Sequence, residues 1–156
     1  MHVRVVWGTG DGPTELSSYD AALAAAGVGD YNLVAVSSVL PADADVSVEG
    51  TAPDLGPAGG RLTVVQARAT ATGPGHVSAA LGWASGDGPG IVYEAAGEMD
   101  QADARAAVEA GLTAGRGLRD WSFDGDHVES VTAEAAPGTY TTAVVLAAFG
   151  AAEPLG

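Results

Sequence analysis

Residues 33–41 read LVAVSSVLP, a run of apolar side chains that two adjacent serines interrupt and a proline ends. Branched aliphatic side chains are typical of strands, and proline is typical of a strand boundary. The pattern predicts a strand over residues 31–40 that carries Ser37 and Ser38 within it. Two interpretations of the serines are open: their hydroxyls bond neighbouring backbone, or the pair reacts.

A serine pair held in a stiff strand has a known route to a reactive ketone. The hydroxyl of Ser38 attacks the carbonyl of Ser37, so that an ester replaces the amide. Elimination then cuts the chain and leaves dehydroalanine, which hydrolyses to a pyruvoyl group on the new amino terminus. Such a ketone condenses with a substrate amine and accepts electrons as carbon dioxide leaves.

The residues that precede this run predict a capped helix with an acid on its apolar side. Thr14 is a typical N-cap and Gly27 a typical stop signal. Between them Leu16, Asp20 and Leu23 have the spacing i, i+4, i+7, which places them on one face. Because an unpaired buried charge is costly, Asp20 either reaches solvent at a rim or binds a ligand.

The rest of the chain predicts strands with one further helix. A second helix is expected to begin at Asp100 and to end near Arg116 and Arg119, whose cations suit the negative end of its dipole. Glycine- and proline-rich residues 8–13 and 42–60 are predicted to be a turn and a connection. The predicted strands cover residues 3–7, 61–70, 77–83, 91–94, 127–135 and 139–149. We therefore expect one domain, residues 1–156, of the α/β (α+β) class, with a mostly antiparallel sheet covered by helices.

Composition excludes several classes of function. The chain of 156 residues has no cysteine, so it offers neither disulfides nor a thiolate metal site. His2, His76 and His127 lack the spacing of metal ligands, so no metal is expected. The first residues do not form a signal peptide, and no apolar run is long enough to cross a membrane, so the expected location is the cytoplasm.

The charge is strongly negative: 20 acidic residues face six basic ones, all arginine, and the formal net charge is -14. Such a surface repels nucleic acid. Two origins remain open. One is adaptation to a saline cytoplasm, where salt screens the repulsion among carboxylates; the other is a high-GC genome without high internal salt.

Glu94 is the remaining candidate catalytic residue. It lies at the end of the apolar strand predicted for residues 91–94. It is either a solvated strand terminus or, inside a pocket, an acid whose pKa desolvation raises towards neutrality.

Three blocks, residues 14–23, 26–41 and 90–97, resemble pyruvoyl-dependent arginine decarboxylases in their order and spacing. The resemblance covers most of the chain. It is weak over the Gly/Pro-rich residues 51–60, and Ala96 stands where a second glutamate is expected in relatives.

The resemblance implies self-cleavage between Ser37 and Ser38, which gives a small chain of residues 1–37 and a large chain of residues 38–156. The covalent pyruvoyl cofactor would derive from Ser38. Asn32 would assist self-processing, and Glu94 would donate a proton in turnover.

The resemblance also implies the substrate and the assembly. The reaction would be decarboxylation of L-arginine to agmatine, with Asp20 holding the guanidinium and Leu16 and Leu23 lining the aliphatic part. The family's sandwich fold is expected, in trimers or pairs of trimers with active sites between protomers. The alternatives are a pyruvoyl decarboxylase of another amino acid and a non-enzymatic paralogue that is never cleaved.

Overall fold

The computed structural model describes residues 1–156 as nine strands and two helices. The strands are β1 (His2–Gly12), β2 (Asn32–Ala35), β3 (Val39–Leu40), β4 (Asp45–Gly50), β5 (Arg61–Thr72), β6 (Gly75–Ala84), β7 (Gly90–Gly97), β8 (Asp126–Ala135) and β9 (Tyr140–Glu153). The helices are α1 (Glu15–Ala25) and α2 (Gln101–Gly117). No helix is both long and apolar enough to cross a membrane.

The strands form two packed sheets. The five-stranded sheet has the order β2-β5-β9-β1-β4, and the four-stranded sheet has the order β3-β7-β6-β8. The four-stranded sheet is antiparallel, whereas the β1–β4 and β2–β5 pairs of the larger sheet are parallel. The predicted α+β class, a mostly antiparallel sandwich covered by helices, is confirmed.

Three apolar clusters hold the four layers together. The central cluster lies between the sheets and includes alternating residues of the strand that the sequence predicted at residues 77–83: Val77, Ala79, Leu81 and Trp83. Helix α1 covers the outer face of the five-stranded sheet, and helix α2 covers the outer face of the four-stranded sheet. Each sheet is therefore buried on both faces over much of its area, which leaves its edges as the accessible places for chemistry.

Both helices begin where the sequence predicted. Thr14 caps α1 and forms a capping box with Ser17, and Ala26 ends the helix just before Gly27, whose φ is 82°. The side chain of Asp100 caps α2 by accepting a hydrogen bond from the Asp103 N–H. These starts depend on side chains a few residues away, so the local sequence contains the necessary information.

The turn predicted at residues 8–13 is wrong, because β1 continues to Gly12 and pairs with β9 along its length. The glycines serve close packing instead. A Cβ atom on Gly8 would lie 2.3 Å from the Ala22 carbonyl oxygen, and one on Gly10 would lie 2.4 Å from the Ala22 nitrogen. Helix α1 therefore rests directly on the backbone of β1.

The predicted connection at residues 42–60 is also partly wrong, because it contains β4. This edge strand pairs in parallel with β1, with His2 opposite Asp45 and Val5 opposite Val48. Val46 packs against the central cluster. The only partner of β4 is β1, some forty residues earlier in the chain. The sequence of β4 itself therefore shows no more than a short alternation of apolar and polar side chains.

The single strand predicted at residues 31–40 is in fact two strands that belong to different sheets. β2 pairs with β5 at the edge of the larger sheet, and β3 pairs with β7 at the edge of the smaller one. Residues 36–38 cross between the two edges and lie outside both strands. The apolar run is thus shared between two partners, and the serines lie at the crossing.

The contact between α1 and β1 yields a test of packing. We expect Gly8→Ala to lower the free energy of unfolding by about 1–3 kcal/mol, because the added methyl forces the helix away from the strand. Gly117→Ala is the control, since a Cβ there meets nothing within 4 Å and alanine favours the helix by up to about 1 kcal/mol. Denaturant unfolding measures both. Equal stability of Gly8→Ala and the unmodified protein would contradict the close contact.

Candidate active site

The two serines lie in a crossing whose two flanks are fixed. The Val36 N–H donates a 2.8 Å hydrogen bond to the Val64 carbonyl in the larger sheet. The Val92 N–H donates a 2.8 Å hydrogen bond to the Ser38 carbonyl in the smaller sheet. Between these bonds, the N–H and C=O of Ser37 have no backbone partner.

This geometry differs from the continuous strand that the sequence predicted through Ser37 and Ser38. Ser37 is exposed and Ser38 half-buried, and neither hydroxyl has a hydrogen-bond partner in the chain. The Ser37–Ser38 peptide is therefore accessible and flanked by fixed backbone on each side. A free Ser37 carbonyl and a free Ser38 hydroxyl are the two groups that an acyl shift requires.

Glu94 lies on β7, the strand that contains Val92, whose N–H bonds the Ser38 carbonyl. It is two residues beyond Val92 on β7, which corresponds to about 6.6 Å of strand, and alternation puts both side chains on the same face. Partial burial desolvates its carboxyl and raises the pKa above the usual value. Glu94 nevertheless remains exposed on one side, so a second surface placed against it would raise the pKa further.

An apolar depression of about 550 Å³ lies beside the serines. Val34, Val36 and Val39 line it, and they remain 41%, 44% and 48% exposed. Phe149 forms part of its wall, and the ion pair between Arg61 and Glu153 stands at its rim. Val36 precedes Ser37 and Val39 follows Ser38, so this apolar surface flanks the serine pair along the chain.

The three residues that their spacing placed on one face of α1 help to line a second depression, of about 480 Å³. Leu16, Asp20 and Leu23 all line it, although Leu16 is 75% exposed and Leu23 is buried. Asp20 is exposed and has no ion-pair partner in the chain. The structure therefore brings the three proposed substrate-binding residues together around a carboxylate that is free to bind a cation.

Sequence reasoning missed two tyrosines of this depression, Tyr19 and Tyr31. The Tyr31 hydroxyl accepts a 2.9 Å hydrogen bond from the Leu55 N–H, which fixes the position of the ring. The guanidinium carbon of Arg68 lies 4.4 Å from the centroid of the Tyr19 ring. The adjacency of each tyrosine to a candidate site residue, Asp20 or Asn32, was the available signal.

Asn32 lies away from the serines. Its side-chain amide donates a 2.8 Å hydrogen bond to the Gly59 carbonyl, and its backbone N–H bonds the Gly60 carbonyl at 2.8 Å. It begins β2, whereas the serines follow the end of that strand, so at least about 10 Å of extended chain separates them. Within one chain Asn32 bonds the loop that precedes β5 and does not touch the Ser37–Ser38 bond.

Asp20 and Ser38 belong to different layers of the fold. Asp20 is on the helix outside the larger sheet, whereas Ser38 is bonded into the smaller sheet. Packed sheets lie about 10 Å apart. An arginine spans less than about 7.5 Å from its α-carbon to its guanidinium carbon, because five bonds of about 1.5 Å join them. One chain therefore does not offer both groups to one arginine across the sheet.

The histidines have separate surroundings. His2 lies 2.6 Å from the Ser47 hydroxyl and 3.6 Å from the Glu49 carboxylate, His76 faces Glu134, and His127 stacks on Trp83. No three His, Asp or Glu residues converge in the way a metal ion requires.

The chain is similar to known proteins along almost its whole length. Residues 2–154 match the family described as pyruvoyl-dependent arginine decarboxylase. A Halobacterium salinarum protein named pyruvoyl-dependent arginine decarboxylase is 52% identical over 154 residues, which is 98% of this chain and 96% of that protein. A Pyrococcus horikoshii protein of the same name is 33% identical over 141 residues, 87% of this chain and 88% of that protein.

The raised pKa of Glu94 predicts a pH dependence of stability. The folded state binds the proton more tightly than the unfolded state, whose pKa is near 4.5. The free energy of unfolding should therefore fall as the pH rises from the unfolded pKa through the folded one. Denaturant unfolding from pH 4 to pH 8 should show Glu94→Gln gaining stability relative to the unmodified protein over that window.

Glu109→Gln, on the exposed side of α2, controls for the loss of one negative charge. A stability difference between Glu94→Gln and the unmodified protein that stays constant with pH would contradict the desolvation of Glu94.

Proposed function

The chain belongs to the pyruvoyl-dependent arginine decarboxylase family, and we propose that it decarboxylates L-arginine to agmatine with the residues described above. The enzyme is a carbon–carbon lyase. The observation that carries this assignment is the Ser37–Ser38 peptide, which has fixed flanks and a free carbonyl. The strand that bonds Ser38, β7, also carries Glu94, whose pKa is raised by burial.

Self-processing would begin at the free carbonyl of Ser37. The Ser38 hydroxyl oxygen bonds to that carbon, the amide C–N bond breaks, and the hydroxyl proton passes to the Ser38 nitrogen. Loss of the Ser38 α-proton would then break the bond between the Ser38 β-carbon and the ester oxygen, which frees Ser37 as a carboxylate and separates residues 1–37 from residues 38–156. The dehydroalanine left at residue 38 would take up water as its imine tautomer and release ammonia, which leaves the ketone.

The residues present fit the cofactor that this family uses. Ser38 would supply the pyruvoyl group at the head of β3, where the strand pairing with β7 holds it. The group supplies a ketone that binds the substrate amine and accepts the electron pair of the departing carbon dioxide. The exposed valines beside it, Val36 and Val39, would limit the access of water.

Glu94 would hold the proton that the reaction consumes. Desolvation favours its neutral form, and the protonated acid can donate to the substrate carbon that has lost carbon dioxide. Closure of the open side by a bound substrate or by a second subunit would favour the neutral form further. Glu94 is two residues along β7 from Val92, whose N–H bonds Ser38, so it is on the strand that holds the processed residue.

Asp20 would bind the substrate guanidinium. A carboxylate without a partner can accept two parallel hydrogen bonds from the planar group, which a lysine ammonium cannot donate in the same way. Leu16 and Leu23 would contact the methylenes of the substrate.

The separation of Asp20 from Ser38 supports sites that are shared between subunits. A neighbouring copy would place its Asp20, Leu16 and Leu23 over the serine edge of the first, in a trimer or a pair of trimers. The strongly exposed Leu16 and the valines around the serines are the apolar surfaces that such contact would bury. Asn32 is proposed to assist self-processing from the family resemblance alone.

The first test concerns cleavage. Ser38→Ala removes the attacking hydroxyl and should give a folded, uncut and inactive chain, whereas the unmodified protein should show two chains by intact-mass analysis. Ser37→Ala is the matched control, because it keeps the Ser38 hydroxyl and should still be cut. Cleavage at this bond in Ser38→Ala would overturn the mechanism.

The second test concerns shared sites. Both Asp20→Asn and Glu94→Gln should be cut. Glu94→Gln should lose about 10²- to 10⁴-fold in kcat as a general acid. Asp20→Asn should lose about 2–5 kcal/mol in kcat/KM for arginine, because the guanidinium loses its charged partner.

Co-expression of these two variants should restore about a quarter of the wild-type sites if each site takes Asp20 and Glu94 from different copies of a closed ring. Sites built from one chain would restore none. Carbon dioxide release from arginine, lysine and ornithine measures rate and specificity. Equal turnover of arginine by Asp20→Asn and the unmodified protein would remove Asp20 from the site.

A further inference from the structure

One hydrogen bond of the serine crossing involves a carbonyl that would stay in the large chain after cleavage. The Ser38 carbonyl, which accepts from the Val92 N–H at 2.8 Å, is not the carbonyl that cleavage attacks. After the proposed cleavage the Ser37 carbonyl leaves with the small chain. The Ser38 carbonyl stays on the large chain, directly bonded to the carbon that becomes the ketone.

The edge of β7 presents its donors in a fixed pattern. In an antiparallel strand alternate residues direct their N–H groups to the same side, so Gly90, Val92 and Glu94 direct theirs towards β3. Gly90 is paired with Leu40, and Val92 bonds Ser38. No backbone bond joins Glu94 to residues 36–38. Along β7, the Val92 N–H therefore lies between Gly90, which pairs with β3, and Glu94, the proposed proton donor.

This donor is held rigidly. The other edge of β7 pairs with β6 from Ile91 to Gly97, and the Val92 side chain is 1% exposed in the core between the sheets. A backbone N–H has no rotamer to choose, so little reorganisation is needed when charge develops on its acceptor.

We propose that the Val92 N–H is a catalytic hydrogen-bond donor in decarboxylation, stabilising the negative charge that develops on the Ser38 carbonyl oxygen. This rests on the proposed function. When the bond between the substrate α-carbon and its carboxylate breaks, carbon dioxide leaves uncharged and the electron pair spreads into the conjugated system that includes this oxygen. Val92 keeps its proton throughout, and Glu94 gives a proton to the α-carbon.

The ladder bond from Gly90 provides a matched control. It belongs to the same β3–β7 pair but contacts Leu40 and not Ser38. Replacing the backbone amide of residue 92 by an ester, through incorporation of the hydroxy acid analogue of valine, removes the N–H and keeps the side chain. The same change at residue 90, with glycolic acid, removes one donor from the same ladder.

Intact mass, steady-state carbon dioxide release and the infrared band of a ¹³C-labelled Ser38 carbonyl are measured for both esters. We expect both to be cut. The residue 92 ester should lose about 10²- to 10³-fold in kcat with little change in KM, as for loss of one oxyanion donor. The residue 90 ester should stay within about threefold of the unmodified protein, because its lost bond does not touch the reacting atoms. The carbonyl band should rise in frequency only in the residue 92 ester.

Equal kcat in the two esters would overturn the proposal. Failure of a folded residue 92 ester to be cut, beside a cut residue 90 ester, would also overturn it, by moving the donor's role to processing. If the residue 92 ester does not fold, the labelled band of the unmodified, cut protein decides, because a frequency typical of an unbonded carbonyl contradicts the contact. An unmodified protein that is uncut, or cut but inactive on arginine, would instead overturn the proposed function.

Discussion

The crossing of residues 36–38 between two sheet edges is the constraint on which the site depends. Two hydrogen bonds from different sheets, Val36 to Val64 and Val92 to Ser38, fix the chain on either side of Ser37. Each sheet is anchored by its own helix and by the central core, so the two edges do not shift independently. One peptide unit is left without backbone partners between fixed flanks, which leaves accessible backbone near the partly desolvated Glu94.

The sequence predicted features that depend on nearby residues. Thr14 indicates the start of α1 because its side chain accepts a hydrogen bond from the Ser17 N–H, three residues later. The alternation of Val77, Ala79, Leu81 and Trp83 indicates a strand with one face in the core. The continuation of β1 to Gly12, in contrast, depends on pairing with β9 near the other end of the chain, and its glycines let Ala22 of α1 approach closely. A glycine that permits close packing and a glycine that makes a turn look alike in sequence.

The site was predicted in its parts and not in its arrangement. Spacing alone grouped Leu16, Asp20 and Leu23, and they share a depression in the structure. The run at residues 33–41 was predicted as one strand, because a strand that changes sheets has the same apolar pattern as one that does not. The engagement of Asn32 with Gly59 depends on a loop whose sequence is irregular. Such partners are long-range, so local patterns carry no trace of them.

The charge of the chain bears on how a cationic substrate would be selected. A net charge of -14 attracts any cation, arginine and lysine alike, and so raises the encounter rate without discriminating between them. At molar salt the screening length falls to about 3 Å, which removes this attraction at a distance but leaves direct contacts largely intact. Selectivity must then come from short-range geometry. The unpaired Asp20 carboxylate, with apolar Leu16 and Leu23 beside it, is suited to that role because a planar fork of donors matches it and a point charge does not.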